Sequence, residues 1–269
     1  MSELIASVAP GSGTPITTRG RSIAYGPPPW RMHGRTLAIR YRLADPDEAR
    51  RHVPAGLAMD GDPIVRARFW DMRHDSLRSL GEGEAGWTEF REAVIAFPVR
   101  RGDVTGDYPT YMYADDFVYT SMGREVMGWP VRDGHIDVEA EPPGGPVAGT
   151  HLAARLTRGG VDLMHVDMTL TGDHRADTDT RPPRWLATKI IPDATRPLAD
   201  VAQLLQTGPE RIHGRTIWSA EASLRLGEGR GDELHHLRPR EIVGAEYWNQ
   251  VDLTIGWATV LDELGVSPW

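Results

Sequence analysis

The sequence predicts a β-rich α+β fold, and three observations carry that expectation. Several segments alternate apolar and polar residues over five to ten positions, the period of a half-buried strand. Few segments hold helical periodicity. The connections are rich in proline and glycine, with 21 and 29 of these residues in a chain of 269.

The elements follow in order. Residues 36–43 (TLAIRYRL) alternate as a strand. Asp45, Pro46, Asp47 and Glu48 then supply an N-cap, a first-turn proline and first-turn acid, which predicts a helix to about His52, ended by Pro54. Strands are expected at 64–72, 92–99, 110–113, 136–140, 149–156, 162–170, 185–191 and 216–226. The run 141–146 (EPPGGP) is a sharp turn between strands. Residues 116–128 allow a helix with Phe117, Val118 and Met122 inward, and the adjacent Asp115–Asp116 pair suits N-capping better than metal binding. Residues 251–264 carry apolar side chains at near-helical spacing before Gly265 and Pro268, so a last helix is expected there. Residues 1–24 are expected to form a mobile arm, and 25–269 a single domain.

Composition narrows the function. Hydrophobic residues make up 40% of the chain, enough for a real core. The formal net charge is -8, and the basic residues are dispersed, which argues against a nucleic-acid partner. No segment approaches the roughly 18 apolar residues of a spanning helix. With no signal-like N-terminus, a cytoplasmic location and no membrane partner are expected. There is no cysteine, hence no thiol nucleophile and no thiolate-bound metal. The ten histidines form no recognised ligand spacing, and GxSxG and P-loop motifs are missing, so no cofactor or metal is expected. Of the 30 basic residues, only Lys189 is a lysine. Apart from the N-terminus, it is the one amine able to form a Schiff base.

The most specific stretch is 106–132, GDYPTYMYADDFVYTSMGREVMGWPVR. It resembles the signature of the acetoacetate decarboxylase family: an aromatic-rich strand, an acidic pair, Gly-Arg-Glu, a short apolar bridge and Pro-Lys-Lys. Gly123, Arg124, Glu125 and Pro130 match. The first lysine of the motif, the Schiff-base residue, falls on Val131, and the second on Arg132. Further likeness lies in His52-Val53-Pro54, in 63–66 (PIVR), in Trp87-Thr88-Glu89, in 189–192 (KIIP) and in 240–243 (REIV). The resemblance implies a β-rich acetoacetate decarboxylase-like fold: antiparallel sheets forming a cone or barrel around a pocket, with a few flanking helices, in a homo-oligomer.

It also implies a site. Glu89 falls where the family has a catalytic glutamate, and Arg35 falls within one residue of the arginine that binds the substrate carboxylate. With Arg132 these are the expected catalytic residues, and Trp129, Tyr113, Met127 and Val131 the expected substrate contacts. Valine offers no nucleophile, and a guanidinium stays protonated, so the imine route is closed at this position. Lys189 falls on a lysine that is not the family's nucleophile and reads as structural. Arg124 and Glu125 read as a structural ion pair.

Two forked cations beside an acid suit proton transfer on a small carbonyl compound. The expected activity is therefore Schiff-base-free acid/base chemistry by a lyase, dehydratase or cyclase acting on an oxo acid or polyketide-like intermediate. The alternatives are imine-independent decarboxylation of a β-keto acid, and ligand binding without catalysis.

Overall fold

A computed structural model of the chain describes residues 16–17, 20–21, 25–59, 62–76, 87–180, 184–195 and 197–265. The strands are β1 (Ile16–Thr17), β2 (Gly20–Arg21), β3 (Trp30–Leu43), β4 (Val65–His74), β5 (Thr88–Arg101), β6 (Val104–Ala114), β7 (Val131–Asp133) and β8 (His135–Val138), followed by β9 (His151–Arg158), β10 (Val161–Thr180), β11 (Trp185–Pro192), β12 (Ala199–Thr207), β13 (Pro209–Leu226), β14 (Pro239–Ile255) and β15 (Thr259–Glu263). Two α-helices lie among the described residues, α1 (Glu48–Arg51) and α2 (Phe117–Glu125), with a 3-10 turn at Leu234–Leu237. None is long and apolar enough to cross a membrane. Most of the expected N-terminal arm lies outside the described residues. Its described part is the antiparallel pair β1 and β2.

The β-rich class holds, in one large mixed sheet. Thirteen strands join in the order β15-β12-β11-β6-β5-β4-β3-β14-β13-β10-β9-β8, with β7 attached to β6. The expectation of antiparallel sheets closing as a cone is refined in two respects. The pairings β6–β11 and β6–β7 are parallel, and the terminal strands β15 and β8 do not pair, so hydrogen bonds leave the sheet open.

The central strands are buried on both faces. On β3, Leu37, Ile39, Tyr41 and Leu43 enter one core with Phe69, Ile95, Tyr113, Leu163 and Tyr247. Residues of the opposite parity, such as Met32, Met72, Phe90, Val94, Met112 and Val131, enter a second core with Trp30, Trp129 and Trp185. Strand geometry alone makes this division, since successive side chains point to opposite faces.

Helix α2 covers the second core. Asp116 is extended, and its carboxylate accepts a hydrogen bond from the Tyr119 amide at 2.6 Å, the capping role expected for it. Tyr119, Met122 and Gly123 face inward, while Phe117 is exposed. The early helix shrinks to a single turn, with the Asp45 carboxylate bonding the Asp47 amide just before it.

The expected helix at 251–264 is a correction. β14 runs through Ile255, and β15 then pairs with β12. Val251, Leu253 and Ile255 are buried, with exposed Asp252 and Thr254 between them, so the period is two. The β-branched Val251, Thr254, Ile255, Thr259 and Val260 favour that outcome. β12 was not foreseen as a strand, and β14 was foreseen only as the start of this helix.

The ribbon of β11, β12 and β15 joins the rest through β6. Trp185 lies opposite Asp107, whose amide bonds the Arg184 carbonyl at 2.9 Å. A Cβ at Gly106 would stand 2.3 Å from that same carbonyl oxygen. Replacing Gly106 with alanine should therefore pry this junction apart and destabilise the protein by more than about 2 kcal/mol. Chemical denaturation of Gly106→Ala beside Gly102→Ala checks the cause. Gly102 has open space but a positive φ, so it reports backbone strain without the clash.

Candidate functional site

The expected site residues do not all converge on one site. Val131 lies opposite Met112 in the parallel β6–β7 pair, and Arg132 lies opposite Tyr113. Consecutive residues on a strand face opposite ways, so Val131 enters the second core and Arg132 the first-core side. The Arg132 guanidinium bonds the buried Asp232 carboxylate at 2.7 Å. Tyr113 donates its hydroxyl to the same carboxylate at 2.7 Å, and Arg158 bonds it at 3.0 Å. Burial pushes the Asp232 pKa up, but these three hydrogen bonds outweigh it, and the net shift is downward. This is a satisfied structural hub, and Tyr113 and Arg132 serve it.

Arg35 and Glu89 do share a cleft of about 480 Å³, with Asp71, Arg73, Arg91 and Glu141. It lies on the first-core side of the sheet. Arg35 is committed there: two of its nitrogens bond Asp71 at 2.8 and 2.7 Å. Glu89 is exposed to solvent there. Trp129 and Met127 are fully buried in the second core, where Trp129 packs edge-on against Trp185 at 5.0 Å. The Thr207 hydroxyl points at the Met127 sulfur. Neither lines a described cavity.

A different acid occupies the second-core face. Glu92 is 1% exposed. Its Oε2 accepts a short hydrogen bond from the Tyr119 hydroxyl, and its Oε1 has no partner. Burial pushes its pKa up to about 8, against the downward pull of the Tyr119 hydrogen bond and of the Arg68 charge. Arg68 and Glu92 line one narrow cavity with Trp70, Phe90, Tyr119 and Trp185, floored by Met32 and Met72. The Arg68 guanidinium lies over the Trp70 ring at 5.6 Å, and burial lowers its pKa. Phe90 stacks on Tyr119 at 3.9 Å, which fixes the ring that holds Glu92.

Register ties Val131 to this face. Arg68 pairs with Val94, Val94 with Met112, and Met112 with Val131, in one row across four strands. Glu92 sits one row away, opposite Trp70. Val131 is fully buried, and its Cγ2 lies 3.0 Å from where a Cβ on Gly123 would stand. Lys189 stands elsewhere. It packs at Gly128, whose positive φ and 2.6 Å approach to the Lys189 Cβ exclude a side chain. Burial lowers the Lys189 pKa, while Glu125 partly restores it, and Lys189 does not line the cavity. Glu125 accepts a hydrogen bond from Tyr25, and Arg124 bonds the Val131 carbonyl at 3.3 Å, so they form no mutual ion pair among the described contacts.

The sequence held a signal for Glu92. It is an acid at an even position in a strand whose neighbours 90 and 94 are apolar, so alternation buries it.

Residues 13–264 match the acetoacetate decarboxylase (ADC) family. The chain is similar to the acetoacetate decarboxylase of Clostridium acetobutylicum, with 27% identity over 235 residues, covering 87% of this chain and 88% of that protein. Its similarity to the enzyme of that name from Streptomyces nogalater is 28% over 239 residues, covering 87% and 90%. The fold superimposes on the enduracididine biosynthesis enzyme MppR complexed with pyruvate at TM-score 0.79 and 23% identity, covering 94% of this chain and 98% of that one. It superimposes equally on an acetoacetate decarboxylase-like enzyme from Sphingomonas wittichii RW1, at TM-score 0.79 and 22% identity, covering 94% and 100%.

The Glu92 geometry predicts a pH-dependent cost to stability. Its folded pKa lies above the unfolded one, so the folded state holds its proton more tightly. Below about pH 4.5 the group is neutral in both states and costs nothing. As pH rises towards 8 the unfolded state is increasingly favoured, by about 3–5 kcal/mol at the upper end. Glu92→Gln removes that term. Its unfolding free energy should exceed that of the wild type by an amount that grows between pH 5 and pH 8, measured by urea denaturation. A pH-independent difference would contradict the assignment.

Proposed function

The chain belongs to the acetoacetate decarboxylase family, and on that premise we propose that it is a small-molecule enzyme that moves protons on an oxo acid without forming a Schiff base. The observation that carries the proposal is the pairing of Glu92 with Arg68 in one aromatic-walled cavity. A carboxyl group with a pKa near 8 rests neutral at pH 7, and its free Oε1 edge can address a ligand. Arg68 has no hydrogen-bonded partner among the described residues, so its fork is open to a carboxylate or an enolate oxygen. These two residues take the roles expected earlier of Glu89 and Arg35.

A resting acid best serves elimination of water, so a lyase of dehydratase type is the favoured reaction. The substrate is a 2-oxo acid with a hydroxyl β to the carbonyl. Arg68 holds the oxo-acid end and stabilises negative charge developing on the carbonyl oxygen. The departing hydroxyl takes the Glu92 proton as its C–O bond breaks. In the same concerted step the forming Glu92 carboxylate takes the proton from the carbon between carbonyl and carbinol, so the C–H electron pair becomes the new C=C bond as the C–O bond breaks. Water and an enone are released, and Glu92 is neutral again. Trp70, Phe90, Tyr119 and Trp185 exclude bulk water and strengthen both interactions. Tyr119 holds Oε2, so that Oε1 is the reacting oxygen. On the family resemblance, Val131 stands in place of the Schiff-base lysine. The same resemblance supports a homo-oligomer as the working form.

The test uses 4-hydroxy-2-oxopentanoate, with enone formation followed by ultraviolet absorbance. Wild type should turn it over, and Glu92→Gln should lose at least about 100-fold in kcat, the usual scale for a general acid. As Glu92 ionises, the wild-type rate should fall through pH 8. Borohydride treatment with pyruvate or acetoacetate should leave the intact mass unchanged. A trapped adduct would establish an imine on Lys189 or the N-terminus and sink the Schiff-base-free reading. Carbon dioxide release from acetoacetate without such an adduct would instead favour imine-independent decarboxylation. Absence of turnover in every assay, with pyruvate still bound, would favour a binding protein.

A further inference from the structure

A wide cleft lies on the sheet face opposite the Glu92 cavity. It measures about 510 Å³ and is lined by Arg31, His33, Arg73, Trp87, Arg211, His213, Asp252 and Thr254 with the strand segments at Met32 and Leu253. Register explains its composition. His33 pairs with Arg73 on one side and Asp252 on the other, and Asp252 pairs with His213. The next row holds Arg31, Thr254 and Arg211. Met32, Ile212 and Leu253 alternate with these residues and enter the second core. The sheet itself therefore separates this cleft from the proposed reaction site.

The lining is cationic in a chain of net charge -8. It has three arginines and two histidines against one carboxylate, Asp252. That carboxylate is engaged by His33 at 2.6 Å. Behind the cleft, Asp75 bonds the Arg31 amide and its Nε, both at 2.7 Å. This pins the Arg31 side chain at its Nε, while the side chain as a whole stays 53% exposed. Arg73 is exposed, and its guanidinium lies over the Trp87 ring at 5.0 Å. Among the described residues it has no carboxylate partner. An arginine held flat on an indole is ordered before any ligand arrives, so it loses less freedom on binding. Strands rather than loops carry Arg31, His33, Arg73, Arg211 and His213, which fixes their spacing.

We propose that this cleft is a second binding site, for a compact anion of two or more charges: a phosphate ester or a polycarboxylate. Arg73 and Arg31 provide forked donors from two neighbouring strands. A single carboxylate fills only one fork, so monoanions are discriminated against. The proposal is independent of the chemistry at Glu92.

Calorimetric titration of the intact protein with pyrophosphate, with citrate and with acetate tests it. Pyrophosphate or citrate should bind saturably at one site per chain, at least about tenfold tighter than acetate. Losing one charged hydrogen-bond donor corresponds to about tenfold in affinity or more. Arg73→Gln, at an exposed position, should therefore weaken the dianion about tenfold and leave acetate unchanged. Arg73→Lys should recover part of the loss, and Glu92→Gln should change nothing. Tighter pyrophosphate than citrate assigns the site to phosphate esters, and the reverse assigns it to polycarboxylates. Equal affinity for acetate and the polyanions overturns the proposal. So does polyanion binding that Arg73→Gln leaves intact while the variant's melting temperature is unchanged.

Discussion

The constraint on which this molecule depends is the burial of both faces of its central strands. β3, β4, β5 and β6 carry one hydrophobic core on each side. A strand so placed has no solvent side on which to discard a polar residue cheaply. Every polar group within it must be paired, sent to the rim, or used. Asp107 is paired with Arg66, Thr36 bonds the Phe69 carbonyl, and Asp232 collects three donors. Glu92 is left with one oxygen unsatisfied, and it lines a cavity beside Arg68, which has no hydrogen-bonded partner among the described residues. An uncompensated buried acid lowers stability, and such groups cluster where a ligand completes them.

The same constraint separates functions that are adjacent in the chain. Val131 and Arg132 are neighbours in sequence, yet one enters the second core and the other the Asp232 hub. Met32 and His33 divide in the same way between a core and the basic cleft. The pleat therefore lets one sheet carry two unrelated chemical environments back to back. A one-residue slip in any central strand would exchange them.

Parity also explains how much was legible in the sequence. Alternation located most strands, and it failed at 251–264, where the apolar residues fit both periods and an Asp–Thr pattern on the exposed side decided for the strand. The motif around Gly123, Arg124 and Glu125 pointed to the family and to helix α2, because capping by Asp116 is a local event written in local residues. The site was less legible. Glu89 and Glu92 lie three residues apart, an odd number, so they stand on opposite faces, and choosing between them needs to know which face is closed. Spacing from an aromatic residue favoured Glu89; the helix packed above Phe90 and Tyr119 is what buries Glu92. Arg68 gave no local signal, because an arginine in an alternating strand ordinarily points to water. Its environment comes from Trp70 and Trp185, the latter 117 positions away in the chain.

The resemblance that sets Val131 in the place of a lysine, and the neutral acid at Glu92, bear on one physical argument. A Schiff-base lysine must be uncharged to attack, and burial beside another cation is what makes it so. Val131 shares a row with Arg68 in the second core, so a lysine at that position would meet low polarity on the same face as that cation. The same desolvation acts on the buried carboxyl of the cavity and raises Glu92 to about 8. Low polarity that serves a base by removing its proton serves an acid by keeping one. A pocket with this electrostatic character can therefore exchange nucleophilic chemistry for acid chemistry through a single buried position, without rebuilding the sheet that holds it.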